Sequence, residues 1–328
     1  MSFRTRISGA GFYLPENILS NQDLEKMVDT NDQWIVERTG IRRRHIAKGE
    51  VTSDLAEKAS RRALAEAGIR SSDIDCIIVA TVGGDQTMPS TACVLQDKLK
   101  CRNIMAFDLS AACSGFVYGL SIADQFIRNG IYKHVLVVGA EVLHPYVDYS
   151  ARDTSILFGD GAGAWVVSRT HPEDPSVIMS AHCHADGSLH DLLIISTGGS
   201  KLPVTKEVLD EKGHFIKMKG REIFKNAVRA MVQCCEEALK AESLTSDQID
   251  WVIPHQANIR IIQSVAENFN IPMEKVIVSI EETGNTSAAS IPIAFGLAKE
   301  GGRIQRGQTI LLTAFGAGLT SGSLIFRY

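Results

Sequence analysis

The amino-acid sequence predicts an α/β fold built from two duplicated halves. Residues 61–78 (RRALAEAGIRSSDIDCII) align with residues 236–253 (EEALKAESLTSDQIDWVI), and the same offset of 175 aligns residues 130–141 with 305–316. In each copy short apolar strands alternate with helices, a pattern typical of a parallel sheet covered on both faces. The chain has 328 residues, 45% of them hydrophobic, so it can bury such a core. We therefore place the halves at residues 1–174 and 175–328.

The composition excludes several classes of function. A formal charge of −4 gives no overall attraction to nucleic acid or to an anionic membrane, so we expect neither as a partner. The sequence has no apolar run typical of a signal peptide or a membrane span, which indicates a soluble, cytoplasmic protein. The seven scattered cysteines are typical of reduced thiols, and their spacing does not favour a metal site. We expect no metal ion and no cofactor.

One of these cysteines lies where a strand turns into a helix. The segment NIMAFDLSAACSGFVYGL reads as a strand, a turn of small residues and a helix that begins near Cys113. Unpaired N–H groups at a helix start favour a thiolate, so this position predicts a lowered pKa and a nucleophile. A small cysteine packed at a helix start would give the same pattern.

Two further polar residues follow buried segments of the second half. His255 comes directly after the strand WVIP, and Asn285 lies in a Gly-Asn-Thr-Ser turn before an alanine-rich helix. Taken alone, a core histidine and a helix-capping asparagine are ordinary interpretations. The duplication favours a shared site over these separate interpretations, because the offset of 175 pairs Cys113 with Ala288 and His255 with Ala80. A pseudo-twofold axis would bring the three segments together.

Two other regions favour a site near these residues. The glycine-rich stretches at residues 158–168 and 314–326 lack the features of a phosphate-binding loop and indicate close approach of backbone to a neighbour. Residues 186–220 have no counterpart in the first half and are rich in loop-forming residues. We expect this unduplicated segment to face the substrate.

The sequence resembles the thiolase-fold condensing enzymes, and most closely the β-ketoacyl-acyl-carrier-protein synthase III family. Seven motifs in order carry the resemblance: GxGxYLPE from residue 9, NDQWIVERTGIRRRH (31–45), AACSGF (111–116), FGDGAGA (158–164), PHQANIRII (254–262), GNTSAAS (284–290) and AFGAGLTSG (314–322). The resemblance implies a five-layered αβαβα fold of two duplicated halves and a homodimer.

The same resemblance implies a role for individual residues. Cys113 would be the acylated nucleophile, His255 and Asn285 would bind the malonyl thioester carbonyl, and the backbone N–H groups of Cys113 and Ala317 would form an oxyanion hole. The resemblance implies coenzyme A binding for Trp34, Arg38, Arg152, Phe224 and Asn258, a place in the acyl pocket for Met88, and docking of acyl carrier protein for Arg260. We expect Leu143 and Phe158 to shape the acyl pocket as well. Arg221, Lys225 and Arg229 recur every four residues on one predicted helix, so they predict a basic stripe for the same docking.

The resemblance implies an acyltransferase that takes an acyl group from acyl-coenzyme A and condenses it with malonyl-acyl-carrier protein. Related enzymes of secondary metabolism, with other starters or acceptors, are the nearest alternative. A cysteine hydrolase would instead release the acyl group to water, without any need for malonyl thioester. A non-catalytic coenzyme A-binding protein would form no covalent adduct on Cys113.

Overall fold

A computed structural model describes residues 3–328, and thirteen strands organise this part of the chain. The strands are β1 Arg4–Tyr13, β2 Asn17–Ser20, β3 Arg43–Ile46, β4 Cys76–Ala80, β5 Met105–Leu109, β6 His134–Glu141, β7 Gly161–Thr170, β8 Val177–Ala185, β9 Leu193–Ile194, β10 Lys217–Met218, β11 Trp251–Pro254, β12 Thr309–Gly316 and β13 Thr320–Arg327. Two large sheets have the orders β1-β7-β6-β4-β5 and β11-β12-β13-β8, and the pairs β2-β3 and β9-β10 form small hairpin-like sheets.

Eleven α-helices of the described residues connect and cover these strands. They are α1 Asn21–Leu24, α2 Asp32–Thr39, α3 Thr52–Ala67, α4 Thr91–Lys98, α5 Gly115–Arg128, α6 Arg152–Ser155, α7 Lys206–Asp210, α8 Gly220–Ala241, α9 Ile259–Asn268, α10 Ile280–Thr283 and α11 Ser290–Glu300. No helix of residues 3–328 is both long enough and apolar enough to cross a membrane.

The large elements stack in five layers. Helices α3 and α4 pack on one face of the first sheet, α5 and α11 lie between the two sheets, and α8 packs on the outer face of the second sheet together with α9. The central layer holds a buried aromatic cluster in which Trp165 contacts Phe116 at a ring separation of 5.1 Å and Phe295 at 4.7 Å. This order of layers is the predicted αβαβα fold.

The duplication extends further than the sequence alignment showed. Strands β4 and β11, strands β6 and β12, and helices α5 and α11 each begin 175 positions apart. Short 3-10 turns precede α5 and α11, at Ala112–Ser114 and Ser287–Ala289. Within these turns Ala112 and Ser287 both have a left-handed backbone, with φ of 46° and 50°. The two halves therefore share an unusual backbone conformation at the same position.

The prediction of parallel pairing holds for only part of each sheet. Strands β4, β5 and β6 are parallel, as are β11 and β12, but β7 runs antiparallel to both β6 and β1. In the second sheet β13 pairs antiparallel with β12 through a short turn at residues 317–319. Segments that contain helices connect the parallel strands, whereas a short turn reverses the chain between β12 and β13.

Glycine allows the two halves to meet at the centre. A Cβ atom added at Gly139 of β6 would lie 2.4 Å from the carbonyl oxygen of Ala288, in the turn before α11. One at Gly163 would lie 2.6 Å from the Pro292 side chain on α11. Backbone atoms and the rigid proline ring cannot move aside, so a larger residue at either position would push the halves apart.

We predict that Gly139→Ala lowers the free energy of unfolding by ~1–3 kcal/mol, the usual cost of overpacking a dense core. Gly187→Ala is the matched control, since no atom lies within 4 Å of its added Cβ, and we expect a change of no more than ~0.5 kcal/mol. Denaturant unfolding followed by circular dichroism measures both. Equal losses in the two variants would contradict the close approach described here.

Candidate active site

A cavity of about 810 Å³ opens between the two halves. Cys113, His255 and Asn285 all line it, although they come from three segments widely separated in the sequence. Leu193, Met218 and Gly220 also line it, so the unduplicated segment borders the cavity as expected. The pseudo-symmetry predicted from the sequence therefore gathers the three polar residues at one place.

Cys113 lies in the 3-10 turn that leads into α5, and its side chain is 8% exposed. The sequence predicted a lowered pKa at this helix start, and that prediction is wrong for this structure. Burial, with a smaller contribution from the negative charge of Glu141, raises the pKa of Cys113 to about 12. Removal of the thiolate from water outweighs the favourable helix terminus. The thiol therefore needs a proton acceptor when it attacks.

The turn after β12 lies directly against the nucleophile. A Cβ atom added at Gly316 would be 2.6 Å from the backbone nitrogen of Cys113, so only glycine fits there. The next residue, Ala317, donates its backbone N–H to no acceptor in residues 3–328. The two N–H groups that the resemblance assigned to an oxyanion hole thus belong to adjacent segments. Their role stays a prediction.

His255 follows β11, and its imidazole is buried. Its Nδ1 atom lies 2.7 Å from Oγ of Ser290, and that oxygen also accepts a hydrogen bond from the Gln256 N–H at 3.3 Å. The tautomer in which the Ser290 hydroxyl donates to Nδ1 places the imidazole proton on Nε2. Burial lowers the pKa of His255 to about 3. The ring is a neutral hydrogen-bond donor.

Asn285 is fixed by the backbone on both sides. Its N–H donates to the Leu157 carbonyl at 2.9 Å, and its own carbonyl accepts from the Gly159 N–H at 3.0 Å. The side-chain oxygen accepts from the Ser287 N–H at 2.9 Å, which identifies the other amide atom as nitrogen. That NH₂ group makes no hydrogen bond within the described chain. It is a second donor available to the cavity.

An aromatic and cationic cluster forms the outer part of the cavity. The guanidinium of Arg152 lies 4.6 Å from the ring centre of Trp34, and that of Arg38 lies 5.6 Å from it. These are distances of cation–π contacts. A flat ring can stack between Trp34 and Arg152 only when these two side chains are ~7 Å apart, because each face of the ring needs one van der Waals contact distance. The Arg152 side chain would therefore move outward to accommodate an adenine.

Phe224 of α8 and Asn258 also line the cavity. The polar atoms of Asn258 are already used: its Oδ1 caps α9 by accepting from the Arg260 N–H, and its Nδ2 donates to the Arg38 carbonyl. Arg260 lies over the Phe224 ring at 5.9 Å. Asn258 therefore joins α2 to α9 in addition to lining the cavity.

The residues assigned to the acyl pocket are split between two places. Phe158 lines the cavity, and Leu143 is buried in the same hydrophobic cluster behind it. Met88, in contrast, is 85% exposed and does not line the cavity of its own chain. The structure brings together only the first two.

The basic residues assigned to carrier-protein docking form one surface at the cavity mouth. Arg221, Lys225 and Arg229 are exposed at four-residue intervals on α8, and Arg260 is exposed at the start of α9. Arg221 and Arg260 also line the cavity. None of the four forms an ion pair with a carboxylate of residues 3–328. We call these four residues the basic surface.

Two buried polar residues that position the site were missed in the sequence. Gln256 donates to the Pro254 carbonyl and accepts from the N–H groups of Ser279 and Ile280, which fixes the chain on either side of His255. Asp160 accepts from the Leu143 N–H at 2.7 Å and from the Ala47 N–H at 2.8 Å. Both lie inside motifs quoted above, PHQANIRII and FGDGAGA, but only their burial in the structure distinguishes them from ordinary loop residues.

The chain was compared with known families and proteins. Two family models match it: "3-Oxoacyl-[acyl-carrier-protein (ACP)] synthase III" over residues 107–187 and the C-terminal part of the same synthase over residues 239–328. The β-ketoacyl-[acyl-carrier-protein] synthase III of Thiobacillus denitrificans is 51% identical over 329 residues, which is 99% of each chain.

Comparison with solved structures leads to the same family. The 3-oxoacyl-[acyl-carrier-protein] synthase III from Aquifex aeolicus is 49% identical, covers 99% of this chain and 100% of its own, and has a TM-score of 0.91. The priming β-ketosynthase of the R1128 polyketide biosynthetic pathway is 34% identical with a TM-score of 0.92, covering 99% of this chain and 96% of its own. With half of its residues identical to such relatives along its whole length, the chain belongs to the β-ketoacyl-acyl-carrier-protein synthase III family.

Proposed function

We propose that the protein transfers an acyl group from acyl-coenzyme A, such as acetyl-coenzyme A, to Cys113 and condenses it with malonyl-acyl-carrier protein. The products are 3-oxoacyl-acyl-carrier protein, coenzyme A and carbon dioxide, and the reaction initiates type II fatty acid biosynthesis in the cytoplasm. The observation that carries this proposal is the convergence of a buried thiol with two neutral hydrogen-bond donors in one cavity. Protein groups alone perform this chemistry, with no separate cofactor.

In the first half-reaction the sulfur of Cys113 attacks the thioester carbonyl. The N–H groups of Cys113 and Ala317 would hold the oxyanion that develops, and coenzyme A leaves an acyl-enzyme behind. The outer cavity supports this step, because Trp34 and Arg152 offer flat surfaces to an adenine while Arg38 offers charge to phosphates. Phe158 and Leu143 supply an apolar wall for the acyl chain.

In the second half-reaction a malonyl thioester enters the same channel. Loss of carbon dioxide leaves an enolate, whose oxygen would accept hydrogen bonds from Nε2 of His255 and Nδ2 of Asn285. The carbanion carbon then attacks the acyl-cysteine and releases the Cys113 thiolate. Neutral donors suit this task, since they stabilise the enolate without transferring a full proton to it.

The basic surface supports an acidic protein as the donor of the malonyl group. Arg221 and Arg260 line the cavity, Lys225 and Arg229 continue the surface along α8, and none of the four has a carboxylate partner within residues 3–328. Surfaces of one sign steer an oppositely charged partner and fix its orientation. Acyl carrier protein would deliver its thioester through this mouth.

A homodimer would complete the acyl pocket. Strand β5 lies at the open edge of the first sheet, and nearby apolar side chains are exposed: Val82 by 39%, Met105 by 47% and Met88 by 85%. An uncovered edge strand with apolar neighbours favours pairing with a second copy. In such a dimer Met88 would reach the partner's acyl pocket.

The similarity to the R1128 priming β-ketosynthase supports a second candidate, a synthase of secondary metabolism that takes a different starter group. Both candidates use the same nucleophile and the same donors. Incubation with a panel of acyl-coenzyme A species, followed by mass spectrometry of the Cys113 peptide, separates them by the acyl group retained.

Our first functional prediction separates the two half-reactions. Cys113→Ser abolishes acylation, whereas Asn285→Asp still forms the acyl-enzyme but slows condensation by ~10²–10³-fold, the usual effect of losing one oxyanion donor. Aspartate keeps the oxygen that accepts from the Ser287 N–H, but it replaces the NH₂ donor with a carboxylate oxygen whose charge also opposes the enolate. Rapid-quench assays of each half-reaction measure this. Full condensation activity in Asn285→Asp would remove Asn285 from the proposed role.

The second prediction concerns pH. Because burial holds the pKa of His255 near 3, the ring stays neutral at every pH above about 5. Single-turnover condensation on pre-acylated enzyme is therefore expected to show no inflection near pH 6.5, where an exposed histidine titrates. Ser290→Ala, which frees the imidazole to exchange tautomers, slows this step. An inflection near 6.5 in the unmodified protein would show that His255 changes charge during the reaction.

The third prediction tests the dimer. Met105→Lys places a charge beside the open edge of β5 and shifts the protein from dimer to monomer in light scattering coupled to size exclusion. Met27→Lys is the matched control, since Met27 is 54% exposed and lies outside the strands, and it leaves the dimer intact. A monomeric unmodified protein, or equal behaviour of the two variants, would contradict the proposed interface.

A further inference from the structure

Three consecutive arginines in the NDQWIVERTGIRRRH motif have different environments. Arg42 and Arg43 are exposed, and they form ion pairs with Glu281 and Glu282. Arg44, the next residue of β3, is fully buried and forms no ion pair with a carboxylate of residues 3–328. Neighbouring residues of a strand point to opposite faces, which turns Arg44 towards the interior.

The burial of Arg44 is costly for the stability of the fold. A guanidinium is positively charged at neutral pH, and moving that charge out of water without an opposite charge costs free energy. One of its nitrogens, Nε, also has no acceptor in the described chain. Stability alone therefore does not explain a guanidinium at this position. Its hydrogen bonds indicate another role.

The Arg44 side chain joins two separate segments. Its Nη2 donates to the carbonyl oxygen of Ile156 at 2.7 Å. Its Nη1 donates to Oδ1 of Asn21 at 2.8 Å and to the carbonyl oxygen of Leu19 at 3.2 Å. A guanidinium holds its donors in a rigid planar fork, so it sets the distance between the groups that it binds. Arg44 thus fixes the chain at Ile156 relative to the chain at Asn21.

The first of these segments carries Arg152. Ile156 comes directly after α6, a helix of four residues that begins at Arg152. Arg152 and Ile156 both line the cavity, and the Arg152 guanidinium lies over the ring of Trp34. A helix of one turn is not stable by itself, so its position depends on the contacts at its ends. The hydrogen bond from Arg44 to Ile156 is one of these contacts.

The second segment holds α2, the helix that carries Trp34. Asn21 is fully buried, and its Nδ2 donates to Oδ1 of Asp32, the first residue of α2, at 2.8 Å. The same Nδ2 donates at 2.8 Å to the carbonyl oxygen of Ile41, shortly after α2 ends. One side chain therefore contacts the chain at both ends of α2, and Arg44 holds that side chain.

We propose that Arg44 is a positioning residue for coenzyme A, which fixes Trp34 and Arg152 relative to each other before the ligand binds. Arg44 does not line the cavity, so it acts through Asn21 and through the backbone at Ile156. A binding surface that is arranged in advance binds more tightly, because less order has to be imposed when the ligand arrives. This inference rests on the proposed function, in which Trp34 and Arg152 bind the adenine.

The stem of Arg44 has a separate packing role. Cβ atoms added at Gly159 and Gly284 would lie 3.1 and 3.0 Å from the Cβ of Arg44, so this side chain packs against the turn that leads to Asn285. Arg44→Met keeps an unbranched stem in that place and removes the guanidinium. The variant therefore tests the hydrogen bonds without opening a cavity beside Asn285.

The test measures the dissociation constant of free coenzyme A by isothermal titration calorimetry. We expect Arg44→Met to weaken binding ~10-fold, which corresponds to a binding surface correctly arranged about a tenth of the time. Arg43→Met is the matched control, because it removes the same charge from the same strand and one exposed ion pair. We expect it to change the constant by no more than ~2-fold.

Two further variants separate geometry from charge and from misfolding. Arg44→Lys keeps the charge but lacks the planar fork, and it is expected to weaken binding nearly as much as Arg44→Met. Asp32→Ala breaks the same chain of hydrogen bonds at a half-buried residue, outside the core. It is expected to weaken binding ~3-fold, the usual effect of one hydrogen bond. Loss of a negative charge would by itself favour an anionic ligand, so a weaker complex reports position.

Two readouts distinguish positioning from a general loss of structure. In a Trp34→Ala background there is no ring to position, so adding Arg44→Met is expected to change the dissociation constant by less than ~2-fold. In acylation assays Arg44→Met raises KM for acyl-coenzyme A and leaves kcat nearly unchanged. The same acyl group on pantetheine, which lacks the adenine, is used as well as by the unmodified protein.

Several results would overturn the inference. They are unchanged coenzyme A affinity in Arg44→Met, normal affinity in Arg44→Lys, full additivity with Trp34→Ala, or equal losses with acyl-coenzyme A and acyl-pantetheine. If Arg44→Met does not fold, the affinity of Asp32→Ala decides in its place. An unmodified protein that binds coenzyme A, with this dependence on Arg44, but never becomes acylated would instead refute the proposed function and support the positioning role.

Discussion

The close approach of two backbones at the centre of the molecule is the constraint on which the site depends. The turn that carries Cys113 and the turn that precedes α11 occupy equivalent positions in the two halves. They meet only because the residues between them are small. Gly139 has room for no Cβ against the backbone of Ala288, and Gly316 has none against the nitrogen of Cys113. A site made from both halves exists because these contacts are backbone to backbone.

Burial at this centre then sets the electrostatics. The same exclusion of water raises the pKa of the Cys113 thiol and lowers that of His255, so both groups are neutral in the free enzyme. Neutrality suits a cavity that must accept a charged intermediate, since donors already in place stabilise new charge without reorganising.

The sequence predicted the architecture and the convergence of the three polar residues because both follow from the duplication. The offset of 175 is visible in two pairs of aligned segments, and it places the Cys113 turn opposite the turn before α11. What pattern analysis could not provide is the environment of each group. The prediction of a low pKa for Cys113 was wrong because the effect of a helix start is local, whereas desolvation depends on every group packed around the thiol. Gln256 was missed for the same reason, since its role depends on neighbours distant in the sequence.

The two halves have divided the chemistry between them. The offset of 175 that pairs Cys113 with Ala288 and His255 with Ala80 also pairs Glu141 with Gly316. The same holds for the supporting residues, since Ser287 is paired with Ala112 and Ser290 with Gly115. In each of these five pairs one member is polar and the other is alanine or glycine, whereas Asn285 is paired with Ser110, a small residue that is also polar. The small members are structurally necessary: a Cβ added at Gly115 would lie 2.9 Å from that of Ala80. Duplication alone would give two half-sites facing each other at the centre, with too many side chains for one cavity. Reducing one member of each pair to a small residue leaves a single site with room for a substrate.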